Sequence, residues 1–388
     1  MLVKPAERIQ HVQEYYFSWK LKQIDELNKQ EPKIINLGIG SPDQPPSDAT
    51  IEALCKESHN PKNHGYQSYI GSPKLRLAFA TFYKTWYNVE LNPANEILPL
   101  IGSKEGIVHV SLAFLNQGDE VLVPNPGYPT YESAARLAGA NIRYYDLTEE
   151  NGYFPDFEKI NQSNLSKVKM MWVNYPHMPT GTPGNLVLFE KIVEFGIRNK
   201  ILICHDNPYS LILNQNPISI FAVPSAKNIA LELNSLSKSH NMAGWRIGMV
   251  AADSEIIKCV LQVKSNMDSG MYLPLQMAAV EALNNNLEWY QELNHRYYTR
   301  KTLALKIFET LGCFVRGTQS GLFLWAKIPN SYKNGDEYSD EILEKARVFL
   351  TPGKVFGSNG DRHLRLSLCA NEEVLTEALQ RIKNVFEK

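Results

Sequence analysis

The chain has 388 residues, of which 44% are hydrophobic, and its 40 Lys and Arg residues almost balance its 41 Asp and Glu residues. A formal net charge of −1 creates no field that attracts a polyanion, which argues against nucleic acid or an anionic membrane as partner. The five cysteines are spread out without a C-x-x-C pair, which excludes a disulfide scaffold and a cysteine zinc site. The length predicts two or three domains, or one large core with a smaller partner.

The N-terminal residues contain no apolar segment of the kind that a secretory signal requires. No stretch approaches the roughly 18 apolar residues of a membrane-spanning helix, so we expect a cytoplasmic protein. The nine histidines show no H-E-x-x-H spacing, and we expect no metal site.

The first two predicted regions are an N-terminal segment and an alternating region. Residues 1–45 are too short to fold alone, and we expect them to pack on the C-terminal domain. Residues 46–280 alternate short apolar runs with helical patterns such as 103–116 and 186–198, which predicts a mainly parallel sheet. The predicted strands are 96–102, 120–124, 141–147, 169–175, 201–206, 228–233 and 246–252.

After about residue 280 the sequence becomes helical and rich in charge. Helices are predicted over 287–311 and 341–349 and at the C-terminus, with the apolar runs GLFLWAKI and HLRLSL between them. Residues 281–388 are therefore predicted to form a smaller α+β domain beside a large α/β domain.

The strongest chemical signal is the segment SLSKSHNMAGWRIG, residues 235–248. Lys238 stands in a Ser-rich turn after a buried strand, and Arg246 follows eight residues later. Its ε-amine could form a Schiff base with an aldehyde while Ser235 and Arg246 bind an anion. Desolvation and a nearby cation lower the pKa of such an amine and expose its nucleophilic form. The alternative is an ordinary lysine in a surface loop.

This segment resembles the lysine motif of the class I and II aminotransferases, fold-type I enzymes that depend on pyridoxal 5′-phosphate. Further segments are similar to motifs of that family and follow its order along essentially the whole chain: YYFS, NLGIGSPD, residues 66–71, GSKEG, PGYPTY, NYPHMPTG, HDNPYS and HLRLSL. The resemblance, nearest to the alanine, methionine and LL-diaminopimelate subgroup, implies the fold of these PLP-dependent transferases. It also implies ping-pong amino group transfer between an L-amino acid and a 2-oxo acid.

The resemblance also implies which residues contact the cofactor. Lys238 would form the Schiff base and then act as general base, Asp206 would pair with the pyridine nitrogen, and Tyr209 would bond the phenolic oxygen. The other implied cofactor contacts are Gly102, Ser103 and Lys104 at a helix start suited to a phosphate, Tyr128 stacked on the ring, and Ser235, Ser237 and Arg246.

For the substrate, Arg365 matches the arginine that binds the α-carboxylate, a task suited to a planar guanidinium. Gly40 would offer its N–H to the same carboxylate. Tyr15 resembles a tyrosine that closes over substrate in the named subgroup. Tyr66 corresponds to a tyrosine that reaches the cofactor phosphate of the neighbouring subunit, which implies a homodimer with shared active sites.

One position departs from the family pattern. The family usually has Asn where NYPHMPTG has Met178, and that Asn donates a hydrogen bond to the phenolic oxygen of the cofactor, which a thioether cannot do. We expect the Schiff-base nitrogen to hold its proton more tightly as a result, unless His177 or Asn174 supplies the donor.

Three alternative functions stay open. A carbon–sulfur β-lyase or a decarboxylase of the same fold would retain the same cofactor residues. A nicotinamide oxidoreductase would require a G-x-G-x-x-G after a strand, which the sequence lacks. A ligand-sensing domain usually carries a DNA-binding module, for which there is no basic segment. No second arginine is assigned to a distal carboxylate, which argues against a dedicated aspartate enzyme. The nearest motif likeness implies a neutral amino acid or LL-diaminopimelate as substrate.

Overall fold

The computed structural model describes residues 2–10, 12, 14 and 16–387. The strands are β1 (Ile35–Asn36), β2 (Ile97–Leu100), β3 (Glu120–Asn125), β4 (Asn141–Asp146), β5 (Val168–Asn174), β6 (Leu202–Asp206), β7 (Ala230–Ser235), β8 (Gly248–Ala252), β9 (Phe314–Val315), β10 (Phe323–Lys327), β11 (Val348–Phe349), β12 (Thr351–Pro352) and β13 (His363–Ser367). The α-helices are α1 (Glu7–Gln10), α2 (Tyr16–Leu27), α3 (Asp48–Ser58), α4 (Pro73–Tyr87), α5 (Ser103–Phe114), α6 (Pro129–Leu137), α7 (Phe157–Asn161), α8 (Leu186–Asn199), α9 (Leu236–Ser239), α10 (Ser254–Lys264), α11 (Leu273–Leu283), α12 (Leu287–Thr310), α13 (Gly335–Ala346) and α14 (Glu372–Phe386).

The largest sheet has seven strands in the order β2-β8-β7-β6-β5-β3-β4. The pairs β3/β4, β3/β5, β5/β6 and β6/β7 are parallel, whereas β8 runs antiparallel to both β2 and β7. Helices cover both faces of such a sheet, so its central strands contain runs of buried apolar residues, such as the fully buried run Met170–Val173. The expected α/β fold with a mainly parallel sheet is confirmed.

All seven strands expected in this region form within two residues of their predicted bounds. The helix expected over 341–349 is wrong at both ends, because α13 covers Gly335–Ala346. The side chain of Asn334 caps its start by accepting a hydrogen bond from the Glu337 N–H, and Arg347 ends it with a φ of 57°. Residues 348–349 then form β11 instead of a last helical turn.

A second sheet of four strands, in the order β12-β13-β10-β9, is antiparallel throughout. The N-terminal segment joins this end of the molecule, because β1 pairs in parallel with β11. Division of the chain at about residues 45 and 280 stays a prediction.

A buried ion cluster fixes the segment that follows β1. Arg300 on α12 is 1% exposed, and its two terminal nitrogens donate to the two carboxylate oxygens of Asp43 at 2.8 and 2.9 Å. Its Nε also donates to Glu372 at the start of α14. A buried guanidinium would be costly without such partners, so this cluster holds the backbone near residue 40 against α12 and α14.

In the part of the chain that the structure describes, no helix is both long and apolar enough to cross a membrane.

Candidate active site

A cavity of about 500 Å³ lies at the carboxyl ends of the parallel strands, where open α/β sheets bind ligands. One part, here called the lysine half, is lined by Ser103, Lys104, Tyr128, Tyr131, Asn174, Asp206, Pro208, Tyr209, Ser235, Ser237, Lys238, Ala243 and Arg246. The remaining part, the arginine half, is lined by Phe17, Ser18, Leu21, Ile39, Gly40, Met178, Phe323, Phe356 and Arg365. Eleven of the thirteen predicted site residues that the structure describes therefore line one cavity, and the exceptions are Gly102 and Tyr66.

Lys238 lies on α9, the single helical turn that directly follows β7. The Ser235 hydroxyl caps this turn by accepting a hydrogen bond from the Ser237 N–H at 3.1 Å. The amine donates to the Gly40 carbonyl oxygen at 2.6 Å, which directs it toward the arginine half. Burial lowers the pKa of Lys238, and the charges of Arg365 and Arg246 lower it further. The neutral, nucleophilic amine is thereby favoured.

Asp206 ends β6 and is buried. Its Oδ2 accepts a hydrogen bond from the Tyr131 hydroxyl at 2.8 Å, whereas its Oδ1 has no hydrogen-bond partner among the described residues. Burial raises the pKa of Asp206 to about 6, although the Tyr131 hydrogen bond and the charge of Lys238 act in the opposite direction. A buried carboxylate oxygen without a donor is suited to a ligand that brings its own N–H.

Tyr131 is a site residue that the sequence analysis missed. Its ring stacks on Trp172 at 4.8 Å with an interplanar angle of 2°, which fixes the hydroxyl on Asp206. The only local signal was its place in PGYPTY, three residues after Tyr128.

A cluster of positive charge surrounds the start of α5. Lys104 and Arg246 both line the cavity there, and burial followed by the charge of Arg246 lowers the pKa of Lys104. Gly102 precedes the helix with a φ of 82°, and a Cβ at that position would collide with the Arg246 guanidinium. Although Gly102 does not line the cavity, its small size lets Arg246 approach. Helix N–H groups beside two cations form an anion site.

These features fit pyridoxal 5′-phosphate. The unpaired Asp206 oxygen suits a protonated ring nitrogen, the cationic helix start suits a phosphate, and the Lys238 amine with its lowered pKa suits an aldehyde. Tyr128 and Tyr209 also line the lysine half.

Arg365 dominates the arginine half from its place on β13. Its Nη2 donates to the Gly38 carbonyl oxygen at 2.7 Å, and its Nη1 lies 3.3 Å from the Met178 sulfur. Its Cζ lies 3.9 Å from the ring centroid of Phe323 and 4.4 Å from that of Phe356. Such cation–π contacts hold the guanidinium in place without neutralising its charge.

Met178 belongs to the arginine half, where its sulfur contacts Arg365, and the residue is 5% exposed. His177 does not take over as a donor, because its ring bonds Thr180, burial lowers its pKa to about 3, and it does not line the cavity. Asn174 does line the cavity, but its amide bonds the Asp206 carbonyl oxygen and its Oδ1 accepts from the Met178 N–H.

Two predicted roles are not tested by this cavity. The Tyr66 side chain is 93% exposed, and its role toward a neighbouring subunit stays a prediction. Tyr15 lies outside the described residues, so its role over the substrate also stays a prediction.

Comparison with known proteins gives a consistent set of matches. The family model described as aminotransferase class I and II matches residues 32–382. An LL-diaminopimelate aminotransferase of Dehalococcoides mccartyi is 38% identical over 98% of this chain and 99% of its own length. An LL-diaminopimelate aminotransferase of Moorella thermoacetica is 36% identical over 100% of this chain and 99% of its own length.

Solved structures agree with this result. Substrate-bound BacF from Bacillus subtilis superimposes with a TM-score of 0.94 and 38% identity, covering 99% of this chain and 98% of that one. A probable N-succinyldiaminopimelate aminotransferase from Thermus thermophilus superimposes with a TM-score of 0.86 and 31% identity, covering 94% of this chain and 99% of that one.

Asp206 predicts a pH dependence of cofactor binding. Pyridoxamine 5′-phosphate, which has no aldehyde for Lys238, should bind the cofactor-free protein more weakly as the pH falls from 7.5 to 5. The reason is that a group with a pKa of about 6 loses its negative charge in this range. Asp206→Asn should bind pyridoxamine 5′-phosphate about 10- to 100-fold more weakly at pH 7.5. It should also lack the part of the pH dependence that comes from Asp206, whereas the part that comes from titration of the phosphate remains in both proteins. Identical pH profiles measured by calorimetry for the two proteins would contradict the assignment.

Met178 predicts a spectroscopic difference. In the cofactor-loaded protein, Met178→Asn should lower the pKa of the Schiff-base nitrogen of Lys238 by about 1, because the amide can donate to the phenolic oxygen of the cofactor. The pKa is measured from the absorbance of the bound cofactor as a function of pH. Met178→Leu, which keeps the volume and adds no donor, serves as the matched control and should titrate like the wild type. If the Asn variant also titrates like the wild type, the sulfur has no such effect.

Proposed function

Since the chain belongs to the class I and II aminotransferase family, we propose that the cavity around Lys238 is where this enzyme moves an amino group between an L-amino acid and a 2-oxo acid. The observation that carries the proposal is that one cavity contains a buried amine of lowered pKa, a buried carboxylate oxygen without a hydrogen-bond partner among the described residues, and a guanidinium, from Lys238, Asp206 and Arg365. Relatives named as aminotransferases do not favour the β-lyase or decarboxylase alternative.

The cofactor of this enzyme is pyridoxal 5′-phosphate, which supplies an aldehyde carbon and an electron-withdrawing ring. Asp206 would hold its carboxylate against the ring nitrogen and keep that nitrogen protonated. Arg246, with Ser103 at the start of α5, would bind the phosphate. These contacts would orient the aldehyde carbon toward the Lys238 amine.

Lys238 would carry the proton that the reaction moves. Its lowered pKa favours the neutral form of the amine, which can accept a proton from the substrate α-carbon. The Gly40 carbonyl oxygen, 2.6 Å away, keeps the amine facing the arginine half, where the substrate would lie. A Cβ at position 40 would collide with Phe323, so glycine lets this backbone approach.

Arg365 would bind the substrate α-carboxylate. Its Nη1 now contacts a thioether, which is a weak acceptor, so a carboxylate can replace that contact at little cost. The names of the relatives make LL-diaminopimelate one candidate donor, and a neutral amino acid is the other. Both present the same α-carboxylate.

We also propose a homodimer with shared sites and a cytoplasmic location. The loop of residues 66–71 exposes Tyr66, Tyr69 and Ile70, with exposed fractions of 93%, 43% and 36%. Adjacent exposed apolar side chains support a contact surface, in agreement with the role that the family resemblance gives to Tyr66. The five free cysteines support a reducing compartment.

The proposed function predicts ping-pong transfer of nitrogen. An ¹⁵N-labelled donor amino acid should label the loaded enzyme in the absence of acceptor, and the label should then pass to an added 2-oxo acid. Arg365→Lys should raise the KM for the donor about 10- to 100-fold, because the bidentate contact is lost, without changing the cofactor spectrum. Arg362→Lys, whose guanidinium bonds carbonyl oxygens of residues 329–333, is the control and should leave KM unchanged. If no donor passes its nitrogen on, the proposed function is wrong.

The shared-site dimer predicts recovery of activity on mixing. The Lys238→Ala and Tyr66→Ala proteins should each be impaired. When they are unfolded and refolded together, half of the dimers contain both variants, and each such dimer has one intact site out of two. The mixture should therefore recover about a quarter of wild-type activity. A monomer in sedimentation, or no recovery in the mixture, would contradict the shared site.

A further inference from the structure

Apart from the Arg365 guanidinium and the Ser18 hydroxyl, which donates to the exposed Glu14 carboxylate, the described lining of the arginine half is apolar. Among its described lining residues Arg365 is the only charged one, and the surrounding side chains are mainly aromatic or aliphatic. Phe17 and Leu21 come from α2, Ile39 follows β1, and Phe356 follows β12. A substrate bound here would therefore contact apolar side chains from α2 and from the segments that follow β1 and β12.

We propose that the amino acid substrate of this enzyme carries a large apolar side chain, preferably aromatic, and no second charge. The proposal rests on the proposed function, because it takes Arg365 as the group that binds the α-carboxylate. Once that carboxylate is bound, the side chain of the amino acid has to lie against the neighbouring walls of the arginine half.

The charge distribution opposes a second ionised group. A carboxylate or ammonium buried without a partner of opposite charge is strongly disfavoured. The other basic side chains that line the cavity, Lys104, Lys238 and Arg246, belong to the lysine half, as does Asp206, the one carboxylate among the described lining residues. The distal end of diaminopimelate carries both an ammonium and a carboxylate. Among the described residues that line the arginine half, only Arg365 is charged, and it would already bind the α-carboxylate.

The aromatic rings favour an aromatic side chain. The Arg365 Cζ lies 3.9, 4.4 and 5.5 Å from the ring centroids of Phe323, Phe356 and Phe17. The centroids of Phe17 and Phe356 are themselves 6.5 Å apart. The carboxylate site and an aromatic wall are thus contiguous, and a phenyl side chain could pack against these rings in edge or offset geometry.

Leu21 offers a way to test this assignment. It lines the cavity and is 39% exposed, so the head of an arginine at this position can remain in water while its charge faces the arginine half. Leu305 on α12 is also 39% exposed and does not line the cavity, which makes it the matched control position.

The experiment measures binding to the cofactor-loaded enzyme by calorimetry, with 3-phenylpropanoate, glutarate and heptanedioate as probes that lack an amino group. Wild type and Leu305→Arg should bind 3-phenylpropanoate at least about tenfold more tightly than either dicarboxylate. In Leu21→Arg that preference should fall by about tenfold or more, because the new cation attracts the second carboxylate. Equal or tighter binding of a dicarboxylate by the wild type, or an unchanged preference in Leu21→Arg, would overturn the proposal.

A parallel measurement separates this proposal from the proposed function. The loaded enzyme is mixed in single turnovers with L-phenylalanine, L-glutamate or LL-2,6-diaminoheptanedioate, and its absorbance is followed. We expect the fastest change with L-phenylalanine. A faster change with either charged amino acid would overturn the substrate class while leaving the aminotransferase intact. If no amino acid changes the spectrum, the proposed function itself fails, whatever the calorimetry shows.

Discussion

The site depends on a concentration of basic side chains in one cavity. Lys104, Lys238, Arg246 and Arg365 line it, and Asp206 is the single carboxylate among the described lining residues. Burial and the charges of the neighbouring arginines lower the pKa of Lys238, which favours the nucleophilic form of its amine. The positive charge that remains at both ends of the cavity suits two anions, the phosphate of the cofactor and the α-carboxylate of the substrate.

The fold brings these groups together from distant parts of the chain. The ends of β6 and β7 carry Asp206 and Lys238, while β13 of the smaller sheet carries Arg365. The backbone after β1 completes the arrangement, because Gly40 accepts from Lys238 and Gly38 accepts from Arg365. The Arg300–Asp43 ion pair anchors that backbone, so a structural cluster outside the cavity supports the geometry within it.

Local sequence patterns predicted the parts of the structure that local forces determine. The strands of the large sheet were found because each is a short apolar run bounded by turn residues. The end of α13 was missed because Val348 and Phe349 pair with Ile35 and Asn36, more than three hundred residues earlier in the chain. Two contacts in the site also join distant segments, namely the hydrogen bond from Tyr131 to Asp206 and the contact of Arg365 with the Met178 sulfur. Neither periodicity nor a motif indicates such contacts.

The most direct test of the central claim is to locate the lysine that bonds the cofactor. Borohydride reduction of the pyridoxal-phosphate-loaded enzyme, followed by peptide mass spectrometry, should place one phosphopyridoxyl group on Lys238, because its amine combines a lowered pKa with a place beside Asp206. Lys238→Ala should acquire none in the same cavity. Modification of Lys104 in the wild type, or of surface lysines alone, would contradict the account.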